Sequence, residues 1–347
     1  MSNHLVVSHS QDLDGWTSGA VIRHILQLAG NNVECVGVDY DEIDPEGLKA
    51  QCEGKHVWLS DFCFGDEWMM ALRGREFGNL SFTWIDHHKS AIERATEVGF
   101  ADLPGFRAVK IKEGTVPAHG AIIHEVGDEE GNRPVAACEL AWLFLKSFYR
   151  FDDPVPLVVK YLSKWDVWNK DEEWETTTLP IQHFCLSKNE LNPVLDGSAE
   201  EWDHLLQIEW ADDEWDRMKA TGKAILGYQR SRNIVTAKRA YRAIWKGLTL
   251  MVINQGEINS GAFESLPKED AMMCFKQNRT GEWTVSLYGH EGSELDLSKY
   301  AIEMGGGGHR LACGWQMKDI NDLGLIREGE PGYQTESWNR ENPTEAH

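Results

Sequence analysis

The sequence predicts an α/β protein: an N-terminal parallel sheet with helices on both faces, a long helical connector, and a smaller C-terminal α/β domain with a mixed sheet. Three observations predict it. Short apolar runs alternate with segments of helical periodicity through the first half, the pattern of a parallel sheet covered on both faces. A charged stretch from residue 212 to 245 reads as one helix. Beyond it, two strand-like runs flank a tight turn.

Residues 5–8 (LVVS) are the first strand, followed by the polar turn 9–15. Residues 17–29 place apolar side chains at helical spacing, and Gly30 stops that helix. Residues 33–38, 56–60 and 82–85 supply three further strands. Residues 136–149 and 156–163 read as helices and close a first domain, 1–169. Residues 170–246 form a helical insertion and connector. In its opening, 170–209, the polar run DEEWETTT suggests a surface excursion, whereas 212–245 reads as a single helix. A second domain, 247–325, opens with the strand 248–254. Residues 271–276 and 282–288 are the arms of a hairpin that turns at 279–281, and 297–304 is a short helix ahead of a glycine run. The polar tail 326–347 is expected to be loosely held. The sequence contains no internal repeat.

The 347 residues suffice for about two domains of ~150 residues each. Hydrophobic residues make up 41% of them, so sizeable cores can form. The 56 acids against 34 bases leave a formal charge of −22. That balance argues against a general nucleic-acid coat, and an anionic substrate would need a local basic pocket or metal ions. The basic residues Arg230, Arg232, Lys238, Arg239 and Arg242 read as a solvated face that balances nearby acids. The seven scattered cysteines form no CxxC pair, which fits a reduced, cytoplasmic setting. Residues 1–15 lack the basic and apolar regions of a signal peptide, and no stretch approaches the ~20 apolar residues of a membrane span.

Four polar clusters fall at or just after the ends of these elements: His9 with Asp12 and Asp14, then Asp61, then Asp86-His87-His88, then Asp166. Any one of these acids alone is a common turn or cap residue. Three clusters, however, follow strands of the parallel sheet, and such sheets bind ligands beyond the carboxyl ends of their strands. Carboxylates and imidazoles without thiolates suit Mn²⁺ or Mg²⁺ better than structural zinc. They outnumber the needs of one ion, whereas two ions ~3.5–4 Å apart, sharing a carboxylate, would use them all. Lys89 and Ser90, just past the double histidine, are further candidates for phosphate contact. In the second domain, Gly305–Gly308 followed by His309 and Arg310 would let backbone amides approach an anion, backed by a donor and a forked cation.

Taken together, SHSQDLDG, the Asp of WLSDF, WIDHHKS, the Asp of SKWDVWN and the late GGGGH resemble the DHH/DHHA1 phosphoesterase superfamily over residues 9–315. Within it they look most like the NrnB-type oligoribonuclease (nanoRNase) branch. The resemblance implies a DHH catalytic domain over 1–169 and a DHHA1-like substrate-binding domain over 247–325. It implies that His9, Asp12 and Asp61 hold one Mn²⁺ and that Asp14, Asp61, His87 and Asp166 hold a second, Asp61 bridging, with Mg²⁺ as the alternative ion. His88 would face the scissile phosphate, and Asp86 would orient the imidazoles. Gly306, Gly307, Gly308, His309 and Arg310 would bind the nucleotide, Arg310 also stabilising charge on the phosphoryl oxygens. The implied activity is hydrolysis of short oligonucleotides to mononucleotides, by in-line attack of a hydroxide shared by two ions. Cyclic dinucleotides, 3′-phosphoadenosine 5′-phosphate and, as in RecJ-type exonucleases, long single strands are the alternative substrates. A non-catalytic nucleotide-binding protein, the alternative of another class, would lack ligands that are all present here. The partner is then a short oligonucleotide or small nucleotide, with neither long duplex DNA nor a membrane expected. A homodimer is compatible with the sequence. Two departures stand out. The His-x-x-Asp-x-Asp spacing differs by one residue from other branches, which leaves open how Asp12 and Asp14 divide between the ions. Where many relatives have Ser-Leu-Arg-Ser, this chain has Ser286-Leu-Tyr-Gly289.

Overall fold

Apolar runs pair in parallel to make the first sheet, and the alternation within each run decides which helices cover which face. In the computed structural model, which describes residues 2–39, 44–98, 107–108, 121–123, 133–192, 197–256, 258 and 260–333, the chain divides into two compact units at residue 226. The first runs through β1 (Asn3–His9), α1 (Leu13–Leu28), β2 (Asn32–Val38), α2 (Pro45–Cys52), β3 (His56–Ser60), α3 (Asp66–Gly74), β4 (Ser81–Ile85) and α4 (Lys89–Glu97). The short strands β5 (Arg107–Ala108) and β6 (Ala121–Ile123) follow, then α5 (Ala137–Tyr149) and α6 (Leu157–Asp166). Every strand pair is parallel, in the order β2-β1-β3-β4-β6-β5.

Leu5, Val7, Val57, Leu59, Phe82 and Trp84 form one face of this sheet, under Leu48 of α2, Leu72 of α3 and Ala95 of α4. Val6, Trp58 and Ile85 form the other, against Ile22 and Ile25 of α1 and Leu140 and Phe144 of α5. Helices therefore cover both faces, as expected. The order reverses at β1, with β2 on one side and β3 on the other. Connections after β1 and β3 leave in opposite directions, which opens a crevice at the carboxyl ends of these strands.

The stretch 170–209 includes a π-helical turn, Trp174–Thr178, that leads into α7 (Leu179–Leu186). Then come α8 (Ser198–Leu205) and α9 (Asp213–Ala237). Ile181, Cys185, Trp202, Leu205, Trp215 and Met218 from these elements join the core around α1 and α5. Arg23 of α1 donates to both oxygens of Asp203 in α8, at 2.7 and 3.1 Å. The insertion up to Met218 is thus packed into the first unit, and the polar run expected as a surface excursion buries Trp174, Thr177 and Thr178.

The helix expected over 212–245 ends at Ala237. The last residues of that stretch form β7 (Tyr241–Trp245), in which Ala243 and Trp245 are buried at period-2 spacing. Lys246 (φ 48°) and Gly247 (φ 82°) make the left-handed pair of a primed two-residue turn. The chain returns antiparallel as β8 (Leu248–Ile253). β9 (Ala271–Gln277) and β10 (Trp283–Tyr288) form the expected hairpin. They are followed by α10 (Ser298–Glu303), β11 (Gly307–His309), β12 (Ala312–Met317) and β13 (Ile326–Arg327). The second sheet runs β11-β12-β10-β9-β8-β7-β13, antiparallel except between β8 and β9. The tail is not loose at its start. Ile326 and Arg327 pair with Ile244 and Ala243, and the Arg327 guanidinium lies 4.6 Å over the Tyr241 ring. The tail beyond Tyr333 and the side chains of Lys89, Ser90 and His309 lie outside the described residues. Among the described residues no helix is long and apolar enough to cross a membrane.

Candidate metal centre

β1 delivers His9, and Asp12 caps α1 just beyond it, accepting from the Gly15 amide at 2.9 Å. His9 Nδ1 lies 3.1 Å from Asp12 Oδ2 and 3.9 Å from Asp61 Oδ2. Asp61 follows β3 in the left-handed region (φ 54°), which Asp tolerates better than most residues. Its amide donates to the Ile85 carbonyl at the end of β4, and the Trp84 indole donates to the Phe62 carbonyl, so β4 pins this turn from both sides. Asp14, in the first turn of α1, is 3% exposed and accepts from the amides of Ala137 and Cys138, both at 2.9 Å. It thereby caps α5, whose own N-cap residue is Ala136 and has no side-chain acceptor.

Past β4, Asp86 Oδ1 accepts from the backbone amides of His87 (2.7 Å) and His88 (2.9 Å) and from His88 Nδ1 (2.7 Å). These bonds turn His87 towards three carboxylates: its Nε2 is 3.2 Å from Asp166, 3.5 Å from Asp14 and 3.6 Å from Asp61. Two ligand sets emerge, His9 with Asp12 and Asp61, and Asp14 with His87 and Asp166; a third, Asp61 with His87 and His88, overlaps both. Within each, candidate ligand atoms lie within 4.8 Å of one another. The structure thus brings all six expected metal ligands together, with Asp86 and His88 beside them.

Five carboxylates meet three imidazoles here, and among the described residues no Lys or Arg pairs with any of the five. Burial, and then Asp14, Asp12 and Asp166, push Asp61 well above the usual carboxylate range. Burial, Asp14 and Asp12 do the same to Asp166. Burial alone would lower the His88 pKa, but the Asp86 hydrogen bond and the surrounding carboxylates outweigh it and raise the pKa to about 9. Both oxygens of Asp61 are buried and accept no hydrogen bond among the described residues. Unpaired buried carboxylate oxygens are costly, and a divalent cation is the partner that oxygen and imidazole donors without thiolate fit best.

The sequence matches no protein-family model and none of the curated proteins. Among solved structures it is similar to the pGpG-specific phosphodiesterase PggH of Vibrio cholerae, at 13% identity over 92% of this chain and 95% of that one, with a TM-score of 0.47. It is similar to RecJ of Thermus thermophilus in complex with Mn²⁺, at 16% identity over 93% of this chain and 50% of that one, TM-score 0.48. A third match is the DHH domain of a member of a ribosomal-protein family, at 13% identity over 94% of this chain and 83% of that one, TM-score 0.47. Likenesses this distant carry no argument about activity.

The remaining expected residues, Gly306 to Arg310, lie in the second unit. Gly306 and Gly308 are glycines for the fold. A Cβ on Gly306 would meet the Gly314 carbonyl, and Gly308 combines φ 129° with a Cβ 2.7 Å from the Ala312 carbonyl. Gly307 has no such reason, since a Cβ there would meet nothing within 4 Å. It opens on a cleft of about 470 Å³ lined by Thr284, Ser286, Tyr288 and Gln316. Arg310 Nη1 donates to the Ser293 carbonyl at 2.7 Å, so one arm of its fork holds a loop.

Lys164 is not among the expected residues. It is 4% exposed, and its ammonium donates to Asp171 (2.5 Å) and Glu173 (3.0 Å), which ties the loop after Asp166 back onto α6. A lysine on the apolar face of LVVKYLSKWD, ahead of three consecutive acids, is the only trace it leaves in the sequence.

Proposed function

We propose that this protein is a divalent-metal-dependent phosphodiesterase that hydrolyses short oligonucleotides to mononucleotides. The observation that carries the reading is Asp61: buried, left-handed, with neither oxygen accepting a hydrogen bond among the described residues, amid the carboxylates and imidazoles beyond β1, β3 and β4. His9, Asp12 and Asp61 would hold one ion and Asp14, Asp61, His87 and Asp166 the other, with Mn²⁺ favoured. Such ions supply charge neutralisation at the phosphoryl group and make water acidic enough to act as nucleophile. The chain's own residues position and complement that chemistry. Asp86 engages Nδ1 of His88, so contact between His88 and a phosphoryl oxygen runs through Nε2, where a protonated imidazole stabilises developing negative charge. The open approach at Gly307 supports a nucleotide seat on the second unit. The −22 charge favours short substrates over long duplexes.

The test is hydrolysis of a labelled RNA dinucleotide beside cyclic dinucleotides, 3′-phosphoadenosine 5′-phosphate and a long single strand. Wild-type protein should cleave the dinucleotide fastest with Mn²⁺ and not at all after chelation. Asp61→Asn should lose on the order of 10³ in kcat/KM. Cleavage that persists without metal, or in the Asp61→Asn protein, would sink the reading.

A further inference from the structure

Two residues past Asp166 the chain turns into the left-handed region at Trp168 (φ 53°), a conformation that bulky side chains rarely adopt. The residue is 54% exposed. Below it Trp174 is 8% exposed, stacked with ring centroids 5.9 Å apart at 29°. Lys170 Nζ lies 4.7 Å from the Trp168 centroid and 5.8 Å from that of Trp174. Together these contacts leave more than half of Trp168 exposed. The segment is held rigid. Trp168 and Asn169 amides bond back to the Trp165 and Lys164 carbonyls, and Lys164 clamps Asp171 and Glu173.

We propose that the Trp168 indole stacks on a base of the substrate whose phosphate is held by the carboxylate–imidazole cluster; this rests on the phosphodiesterase reading above. Distance permits it, since two residues separate the Trp168 and Asp166 Cα atoms by at most about 7 Å, and Asp166 is itself part of the cluster. Chemistry favours it: base–indole stacking is tolerant of sequence and strong enough to hold a short single strand. Lys170 adds positive charge beside the ring in a chain of net charge −22. A packing role alone would be served by burying the ring, as Trp174 is buried.

The experiment measures kcat and KM with Mn²⁺ for wild type, Trp168→Ala and Trp168→Phe. The substrates are an RNA dinucleotide and two analogues in which one or the other base is replaced by hydrogen. Trp168→Ala should lower kcat/KM on the dinucleotide about tenfold, mainly through KM, and Trp168→Phe should keep most of the activity. On the analogue that lacks the stacked base, wild type and Trp168→Ala should be equal. Equal rates for wild type and Trp168→Ala on the dinucleotide would overturn the proposal. So would equal losses on both analogues, which would mean that Trp168 only supports Asp166. A wild-type protein that cleaves no dinucleotide would instead overturn the phosphodiesterase reading and the stacking with it.

Discussion

A methyl group on residue 15 would sit 2.3 Å from the His9 carbonyl oxygen and 2.6 Å from its Cβ. Gly15 is therefore what lets α1 start close enough to β1 for Asp12 to face His9 and Asp14 to sit in the same first turn. Gly15→Ala should push the helix off the strand, destabilising the protein by about 1–3 kcal/mol. It should also weaken Mn²⁺ binding by more than the stability loss explains, because two candidate ligands move. Urea unfolding and calorimetric titration with Mn²⁺ measure the two effects; unchanged binding would show that α1 can slide without disturbing the cluster. At this scale the convergence of four stretches was legible, because acids and imidazoles at strand ends have one place to go. The dual position of Asp14 was not, since the helix it caps begins 123 residues later along the chain.

Four of the first sheet's six strands, β1 to β4, are readable as elements because short apolar runs alternate with helical periodicity, whereas β5 and β6 have only two and three residues and leave no such run. β7 is not readable either. No Gly or Pro separates it from α9, and its Arg and Ala residues suit a helix, so only the buried alternation of Ala243 and Trp245 marks it. The 170–209 stretch resists reading because the π-helical turn interrupts the 3.6-residue period. A different tie joins β1, β3 and the end of α1. The Trp58 indole donates to His4 Nδ1 at 2.9 Å, His4 Nε2 lies 2.8 Å from Ser2 Oγ, and that hydroxyl donates to Asn31 at 2.7 Å. Burial, and then the neighbouring His56, lower the His4 pKa from 6.5 to about 4. The unfolded chain thus takes up this proton before the folded one does. Stability from neutral His4 is complete above pH 6.5 and drains away as pH falls towards 4, by at most ~3 kcal/mol. His4→Asn, which can accept from Trp58 but cannot titrate, should flatten the dependence of unfolding free energy on pH between 7 and 4. A slope identical to wild type would assign that dependence to other groups.

At the scale of the whole molecule, the two units divide the candidate residues. All the candidate metal ligands belong to the first, while the glycine run and its cleft belong to the second. The second unit also depends on its smallest element. β13 has two residues, and yet it occupies the outer side of β7, which closes on the rest of the sheet through β8. An uncovered strand border is a template for pairing with another chain. β13 covers that border at Ala243 and Ile244, and is expected to guard it against self-association. Ending the chain after residue 325 should leave the monomer's core intact but make it aggregate with concentration, which light scattering over a dilution series would register. A truncated protein that stays monomeric at every concentration would show that β7 needs no guard.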